Sequence, residues 1–373
     1  MKKKILQIFG TRPEVIKMAP VYFELKNAST DFEVRNLVTA QHRDMLDQSL
    51  AIFGIEPEYD LDIMTENQDL FDVSIKALAG IKSVLDEYQP DCVLVQGDTT
   101  TTFIGSLAAY YKKITVGHIE AGLRTHNKYS PFPEEINRKL TGSIADLHFA
   151  PTQVSYDNLI NENVSANDVF IMGNTSIDSL HWVLEHHNAN FERILDATVL
   201  EAIQGRYILV TMHRRESFGK PIQEAFKALR ELAERFPEVA IIYPVHPNPN
   251  VREQVNALLA DTKNIHLIEP QNYVNFAHLM KGAELIVTDS GGVQEEGPSL
   301  SKPILVLRET TERQEGVTAG TAKLVGTDRE KIVNEASKLL TDTNIYREMA
   351  AQENPYGDGK ASQRIVGILK QRL

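Results

Sequence analysis

Cysteine is almost absent from this chain, which has one, Cys92, in 373 residues. A single thiol excludes a disulfide framework and a cysteine-based metal cluster. Because Cys92 lies inside an apolar run, it is expected to be a buried thiol. The pattern H-E-x-x-H and comparable ligand spacings are also missing, so the sequence predicts no zinc site.

Long hydrophobic runs and clusters of basic residues are lacking as well. There is no stretch of about 18 apolar residues, and the segment between Lys4 and Thr11 is too short for a signal peptide. The 39 Lys and Arg residues are scattered and outnumbered by 51 Asp and Glu, so the formal charge is −12. A basic surface for nucleic acid is therefore not expected. We predict a cytoplasmic protein with no membrane or nucleic-acid partner.

The composition is that of a globular protein, with 42% hydrophobic and 24% charged residues. A chain of this length exceeds the size at which single cores stop growing, so two domains are expected. Short β-branched runs alternate with amphipathic stretches, six in each half, which predicts βαβ units and two parallel sheets. We predict domains over residues 1–173 and 174–354, with a C-terminal helix over 355–373 that packs back on the first domain.

Polar segments follow the predicted strands at their carboxyl ends, where open parallel sheets bind ligands. The first is the segment from Gly10 to Glu14, with Arg12 and Lys17 as cations near the start of a helix. These residues fit an anion site and a capped helix with solvated charges equally well.

Carboxylates follow two further strands. Asp98 precedes four threonines, which are poor residues for a helix interior, so it is either a ligand-site carboxylate or a helix N-cap. Glu120 lies between Gly117 and Gly122, which permit close approach of the backbone.

A loop rich in proline then leads into a helix that begins near Glu134. The spacing of four places Glu134 and Arg138 on one helical face, where they could pair. On spacing alone, a surface ion pair is the better interpretation.

The second half has two polar segments of this kind. His213 follows a strand and precedes two arginines, which makes an anionic neighbour plausible, although such a histidine is as often packed or solvated. Ser290, Gly291 and Gly292 form a strand end, a glycine turn and a helix start, which outlines a phosphate cradle. Because G-x-G-x-x-G after a strand and G-x-x-x-x-G-K are missing, a nicotinamide enzyme and a P-loop hydrolase are disfavoured.

The ordered set of these motifs resembles the non-hydrolysing UDP-N-acetylglucosamine 2-epimerases, from the first strand to Gly357. The matching segments are Phe9 to Glu14, Gly97 to Thr101, Gly117 to Thr125, His213 to Glu216, Asp289 to Gly292, and Thr311 to Arg313. The resemblance implies the GT-B fold, two Rossmann-like domains facing a central cleft, and a homodimer that interconverts UDP-GlcNAc and UDP-ManNAc.

The resemblance also implies roles for individual residues. The catalytic group comprises Asp98, Glu120, Glu134, Arg138 and His213. The substrate-binding group comprises Arg12, Lys17, Gln271, Phe276, Ser290, Gly291, Gly292, Glu296 and Arg313. Departures from the usual family pattern, such as Phe132 in place of Trp, replace no proposed catalytic group.

Some members of the family carry a second, regulatory UDP-GlcNAc site. Gln41 and His42 match the sequence pattern of that site. Asp44, however, replaces a frequent Gln, and Asn67 stands where an Arg is often found. An added carboxylate and a lost cation weaken the binding of a diphosphate. We therefore predict weak or absent allosteric activation.

The expected chemistry follows from the substrate. Carbon 2 of an N-acetylhexosamine has no adjacent carbonyl, so a side chain cannot remove its proton directly. Loss of UDP with removal of that proton gives 2-acetamidoglucal, and UDP adds back with a proton returned to the other face. This route needs carboxylates and cations but no metal or redox cofactor. The alternatives are a hydrolysing epimerase that releases UDP and ManNAc, a GT-B glycosyltransferase, and a nucleotide-sugar sensor without catalysis.

Overall fold

The computed structural model describes residues 1–40, 43–65, 68–212 and 220–373. The chain divides into two compact units, Met1–Ser179 with Tyr356–Leu373, and Leu180–Pro355. The division falls later than the predicted position near Gly173, inside helix α7 (Thr175–His186). The first turn of α7 stays with the first unit because the Ser179 hydroxyl donates to the Ile16 carbonyl.

The first unit is built on a parallel sheet of seven strands in the order β3-β2-β1-β4-β5-β6-β7. The strands are β1 (Lys3–Phe9), β2 (Phe32–Val38), β3 (Tyr59–Asp60), β4 (Cys92–Gln96), β5 (Thr115–Ile119), β6 (Leu147–Ala150) and β7 (Val169–Ile171). The six strands predicted for this half are confirmed. The edge strand β3 was not predicted, because two residues carry no periodic signal.

Seven helices of this unit lie wholly within its described residues. They are α1 (Arg12–Asn27), α2 (Arg43–Phe53), α3 (Leu70–Tyr88), α4 (Thr100–Tyr111), α5 (Glu134–Ile144), α6 (Gln153–Asn161) and the C-terminal α16 (Ala361–Arg372). Helix α16 packs against α1. Its start is held by Asp178, whose carboxylate accepts hydrogen bonds from the backbone N–H groups of Ala361 and Ser362.

The second unit has a six-stranded parallel sheet in the order β10-β9-β8-β11-β12-β13. The strands are β8 (Arg206–Thr211), β9 (Val239–Pro244), β10 (Ile265–Ile268), β11 (Leu285–Thr288), β12 (Ile304–Val306) and β13 (Ala322–Leu324). The helices are α8 (Ala197–Ala202), α9 (Lys220–Arg235), α10 (Pro249–Leu259), α11 (Tyr273–Gly282), α12 (Gly291–Glu296), α13 (Gln314–Thr318), α14 (Arg329–Thr341) and α15 (Thr343–Ala350). All six predicted strands of this half are confirmed.

Both sheets are buried on their two faces by helices. The central strand β1 contributes Ile5, Leu6 and Ile8, all fully buried, which explains its nearly continuous apolar sequence. In the second unit, β8, β9 and β11 share one apolar cluster with α9 and α14. The predicted α/β class with two parallel sheets is confirmed.

The order of the strands in each sheet defines where a crevice forms at its carboxyl edge. In the first sheet β1 lies beside β4, and in the second β8 lies beside β11, so the chain winds outward in both directions from each pair. The loops beyond such a pair diverge and leave a crevice at the carboxyl edge. This position is occupied by the segments that begin at Gly10 and Gly97 in the first unit and by the segment that begins at Asp289 in the second.

No helix in the described part of the chain is both long enough and apolar enough to cross a membrane.

Candidate active site

The loops after β1 and β4 are joined by one buried carboxylate, that of Glu14. Its Oε2 accepts hydrogen bonds from the backbone N–H groups of Gly10 at 3.0 Å and Thr11 at 2.8 Å. Its Oε1 accepts from the hydroxyls of Thr99 at 2.8 Å and Thr102 at 3.1 Å. Burial raises the pKa of Glu14, and the hydrogen bonds from Thr11 and Thr99 act against that rise. The sequence signal was a capping-box position, which does not reveal the contact with the second loop.

Asp98 lies beside Arg138 rather than at a helix cap. The N-cap of α4 is Thr99, whose hydroxyl accepts from the Thr102 N–H at 3.1 Å. The Asp98 carboxylate instead accepts from Arg138, with 2.5 Å between the oxygen and the guanidinium nitrogen. Burial raises the pKa of Asp98, Arg138 acts against the rise, and the charge of Glu120 adds to it. Of the two interpretations from sequence, the structure therefore excludes the N-cap.

Glu120 adopts a left-handed backbone conformation, with φ of 62°. Residues other than glycine rarely do so, and the strain of about 1–3 kcal/mol is typical of functional positions. The Glu120 carboxylate forms an ion pair with Lys17, and the Asn174 side-chain amide donates to it at 3.0 Å. Lys17, predicted to bind substrate, thus contacts a predicted catalytic carboxylate. Asn174 carried no signal in the sequence, because it lies more than 50 positions away from Glu120 in the chain.

The predicted pairing of Glu134 with Arg138 is wrong. Arg138 turns toward Asp98 and toward Glu135, whose carboxylate lies 3.3 Å from the second guanidinium nitrogen. The Arg138 side chain is only 10% exposed. These two carboxylates, rather than the helical neighbour at spacing four, therefore determine where it points. The Glu134 Oε2 atom is buried and, among the described residues, has no hydrogen-bond partner.

His118, on β5, is a neutral structural group. It is fully buried, and burial lowers its pKa to about 3. Its Nε2 lies 2.7 Å from the Gly97 carbonyl, to which the neutral ring donates. His118 therefore fixes the turn that presents Asp98 and does not serve as an acid or base at neutral pH.

In the second unit, the turn after β11 packs under Arg313. The Ser290 N–H donates to the Thr288 hydroxyl at 2.9 Å, and α12 begins at Gly291. A β-carbon at Gly291 would lie 3.1 Å from the guanidinium carbon of Arg313, whereas one at Gly292 would meet no atom within 4 Å. A glycine turn with open space beside an arginine can accommodate an anion such as a phosphate.

Arg313 is held by its own neighbours. Its Nε lies 2.9 Å from the buried carboxylate of Glu295, and its backbone N–H donates to the Thr311 hydroxyl at 3.1 Å. The Thr311 hydroxyl donates in turn to Gln294 at 2.8 Å. Glu295 and Gln294 belong to α12, so these contacts tie the predicted cation to the predicted glycine turn. Sequence reasoning had not identified either residue.

The remaining predicted substrate-binding residues of this unit lie at the start of α11 or contact it. The Tyr273 hydroxyl donates to Glu296 at 3.1 Å, which connects α11 with α12. The Gln271 amide donates to the Glu269 carbonyl at 2.8 Å, and Phe276 is half-buried on α11.

The other predicted residues are Arg12 in the first unit and several that lie outside the described residues. Arg12, the first residue of α1, is half-buried. His213 lies outside the described residues, as do Gln41, His42 and Asn67 of the predicted regulatory site. Within the described ranges, no cluster of three or more His, Cys, Asp or Glu side chains could hold a metal ion.

Comparison with known proteins agrees with the resemblance over almost the whole length. The profile of the UDP-N-acetylglucosamine 2-epimerase family matches residues 24–370. The chain belongs to this family. It is 52% identical over 371 residues to the UDP-N-acetylglucosamine 2-epimerase of Escherichia coli strain K12, with 98% of each chain covered.

Solved structures of this family have the same fold. The UDP-GlcNAc 2-epimerase of Neisseria meningitidis, determined bound to UDP-GlcNAc, is 47% identical, with a TM-score of 0.87 and coverage of 99% of this chain and 100% of that one. A glycosyltransferase of kitacinnamycin is only 12% identical yet has a TM-score of 0.68 over 100% of both chains. This second likeness concerns the fold alone. The GT-B class implied by the motifs is confirmed.

Proposed function

We propose that this protein interconverts UDP-GlcNAc and UDP-ManNAc without net hydrolysis. The observation that carries the proposal is the group formed by Asp98, Glu120, Lys17 and Arg138 at the carboxyl edge of the first sheet. It contains two carboxylates, each paired with a cation, and the pKa of Asp98 is raised. The membership of the chain in an epimerase family supports the same reaction.

The chemistry asks for groups that exchange a proton on each face of carbon 2. General acid and base groups work best when their pKa lies near the working pH, so a buried carboxyl with a raised pKa suits this task. Asp98 meets this condition. Glu120 and Glu134 are the other candidates, and their carboxylates would also stabilise positive charge at the anomeric carbon as UDP departs.

We propose that UDP is bound by the Ser290 to Gly292 turn and by Arg313. The turn offers backbone N–H donors and space, and Arg313 offers a guanidinium that Glu295 holds in place. Support comes from the relative of Neisseria meningitidis, whose structure contains UDP-GlcNAc.

Incubation of the protein with UDP-GlcNAc in heavy water tests the reaction. We expect UDP-ManNAc to form and deuterium to appear at carbon 2 of both epimers, because the proton is removed and returned during each turnover. Proton NMR of the anomeric and carbon 2 signals measures both. UDP-ManNAc that forms without deuterium would exclude proton exchange, and the absence of any epimer would exclude the function.

Phosphorus NMR of the same mixture separates the non-hydrolysing from the hydrolysing reaction. The nucleotide signals are expected to remain those of UDP-sugars. Free UDP that accumulates one-for-one with a free sugar would replace the proposal by the hydrolysing alternative.

We further propose that the protein is a homodimer formed through helices α3, α4 and α5. These helices pack side by side, and each presents large apolar side chains to solvent. Phe71 and Ile75 on α3 are 77% and 68% exposed, Tyr111 on α4 is 66% exposed, and Leu140 on α5 is 41% exposed. Neighbouring exposed apolar groups of this size are typical of a protein interface.

A charged nucleotide sugar does not cross a bilayer unaided, which supports a cytoplasmic location near its source.

The substitution Ile75→Asp is expected to convert the dimer to a monomer. A carboxylate buried in an apolar interface without a partner costs several kcal/mol, which raises the dissociation constant of the dimer by about 100-fold or more. Light scattering after size exclusion measures the mass. Ile345→Asp is the matched control, since Ile345 is also an exposed isoleucine, at 40%, but lies on α15 of the second unit, which packs against α14. A dimer that survives Ile75→Asp, or a wild-type monomer, would contradict the proposal.

A further inference from the structure

The orientation of Arg138 depends on two carboxylates. One guanidinium nitrogen lies 2.5 Å from Asp98, and the other lies 3.3 Å from Glu135. The Nε atom is buried and makes no hydrogen bond to any described residue. Because the guanidinium is planar, two contacts of this kind fix its plane as well as its position.

Glu135 is itself fixed by the loop that follows β5. Its side chain is 1% exposed. Its two carboxylate oxygens accept hydrogen bonds from the backbone N–H groups of Thr125 and His126, each at 3.0 Å. Glu120 lies at the start of this loop, directly after β5. Glu135 therefore connects the loop that carries Glu120 to the arginine that contacts Asp98.

A purely structural role would account for the backbone hydrogen bonds, because buried carboxylates need donors. It would not explain why Arg138 contacts both Glu135 and Asp98. The group contains three carboxylates, Asp98, Glu120 and Glu135, and two cations, Lys17 and Arg138. Without Glu135, Arg138 would compensate Asp98 alone, and the balance between ionised and protonated Asp98 would change.

We propose that Glu135 is a positioning residue for the epimerisation. It fixes the plane of the Arg138 guanidinium beside Asp98, limits how much of the arginine's charge acts on Asp98, and fixes the loop after Glu120. This inference rests on the proposed function, since it concerns the proton exchange of that reaction. It assigns to Glu135 no contact with substrate.

Loss of the Glu135 charge is expected to lower the pKa of Asp98. The charged groups that act on Asp98 are Arg138 and Lys17, which lower its pKa, and Glu120, which raises it. Glu135 bears on Asp98 through Arg138. Removing the Glu135 charge leaves Arg138 without its second partner, and an uncompensated cation beside a carboxylate lowers that carboxylate's pKa. The limb of the pH–rate profile that Asp98 controls should therefore move to lower pH.

The substitution Glu135→Gln tests the inference. A glutamine can accept from only one of the two backbone N–H groups and carries no charge, so Arg138 keeps its contact with Asp98 but loses the second contact that fixes its plane. Misplacement of a catalytic group on this scale lowers kcat by about 10- to 100-fold. We expect this loss with KM within about threefold of wild type, since binding is untouched, together with the shift of the pH limb. Initial rates of UDP-ManNAc formation across pH measure all three.

Two further variants separate positioning from loss of folding. Glu135→Asp keeps the charge but shortens the reach to Arg138, so it should lower kcat less and leave the pH limb in place. Glu284→Gln is the matched control, because Glu284 also pairs with an arginine, accepting two hydrogen bonds from Arg206 at 2.7 Å each, but lies in the second unit. It should retain wild-type kcat.

Wild-type rates in Glu135→Gln, or reduced rates with an unshifted pH limb, would overturn the inference and reduce Glu135 to a structural residue. Should Glu135→Gln fail to fold, an unchanged kcat in Glu135→Asp would overturn it equally. A wild-type protein that forms no UDP-ManNAc would instead remove the proposed function, so the two failures are distinguishable.

Discussion

The substitution Asp98→Asn is expected to lower kcat by about 10²- to 10⁴-fold, which is the usual contribution of one general acid or base. The amide keeps the shape of the side chain and still accepts from Arg138. It cannot exchange a proton, so both the removal and the return of the carbon 2 proton are affected. KM for UDP-GlcNAc should change little, because the predicted nucleotide contacts lie elsewhere. The rate of UDP-ManNAc formation and the uptake of deuterium at carbon 2 should fall together.

Asp91→Asn is the matched control for this prediction. Asp91 directly precedes β4, and Asp98 follows the same strand at its other end. The Asp91 side chain is 40% exposed and pairs with Lys3, at the edge of the sheet opposite the site. This variant should retain wild-type kcat. An Asp98→Asn enzyme that works within about threefold of wild type would show that Asp98 is not an acid or base in the reaction.

The substitution Glu14→Ala is expected to destabilise the first unit by about 2–4 kcal/mol, because it leaves the buried N–H groups of Gly10 and Thr11 without acceptors. The relief of desolvating a carboxylate offsets part of this loss. For a unit of this size the midpoint of thermal unfolding should fall by about 4–16 °C. Calorimetry of the free protein measures the shift.

Glu14→Ala should also lower kcat more than its stability loss explains at temperatures where it remains folded. The Glu14 carboxylate joins the loop before Arg12 to the loop after Asp98, so its removal frees both. Asp72→Ala is the matched control, since Asp72 occupies the same capping-box position on α3 but is exposed. Its cost should be about 0.5–1 kcal/mol, with no change in kcat. Equal destabilisation by the two substitutions would show that the Glu14 contacts act only as a helix cap.

Among the described residues, ion pairs at the site of the first unit join three carboxylates to two cations. Asp98, Glu120 and Glu135 are compensated by Lys17 and Arg138, and the raised pKa of Asp98 reflects burial together with the charge of Glu120. In such a setting, small changes in charge alter which carboxyl carries a proton. A pH profile of Glu135→Gln, measured beside its rates, therefore detects a change in the protonation of Asp98.

Family membership identified the reaction class more directly than any single motif did. The separate segments each allowed a plain structural interpretation, as Asp98 allowed an N-cap and Glu134 with Arg138 allowed a surface ion pair. Their order along the chain is what few other families share. The roles of individual residues within that order remain predictions, and the substitutions above address them one at a time.

The sequence by itself determined every strand except β3, the two parallel sheets and the segments that follow β1, β4, β5 and β11. These features depend on local periodicity, on β-branched runs and on turn residues, all of which act between near neighbours in the chain. The order of the strands then places the segments at the carboxyl edges of the two sheets.

Only the tertiary structure decided which charged groups meet. Arg138 pairs with Asp98 and Glu135 rather than with Glu134, and Glu14 accepts from its own loop and from Thr99, which lies 85 positions further along the chain. Spacing in a helix allows several partners for one arginine, and the choice among them depends on burial and on side chains brought from distant segments. That information is absent from local sequence, because the energy of an ion pair is set by its surroundings in space.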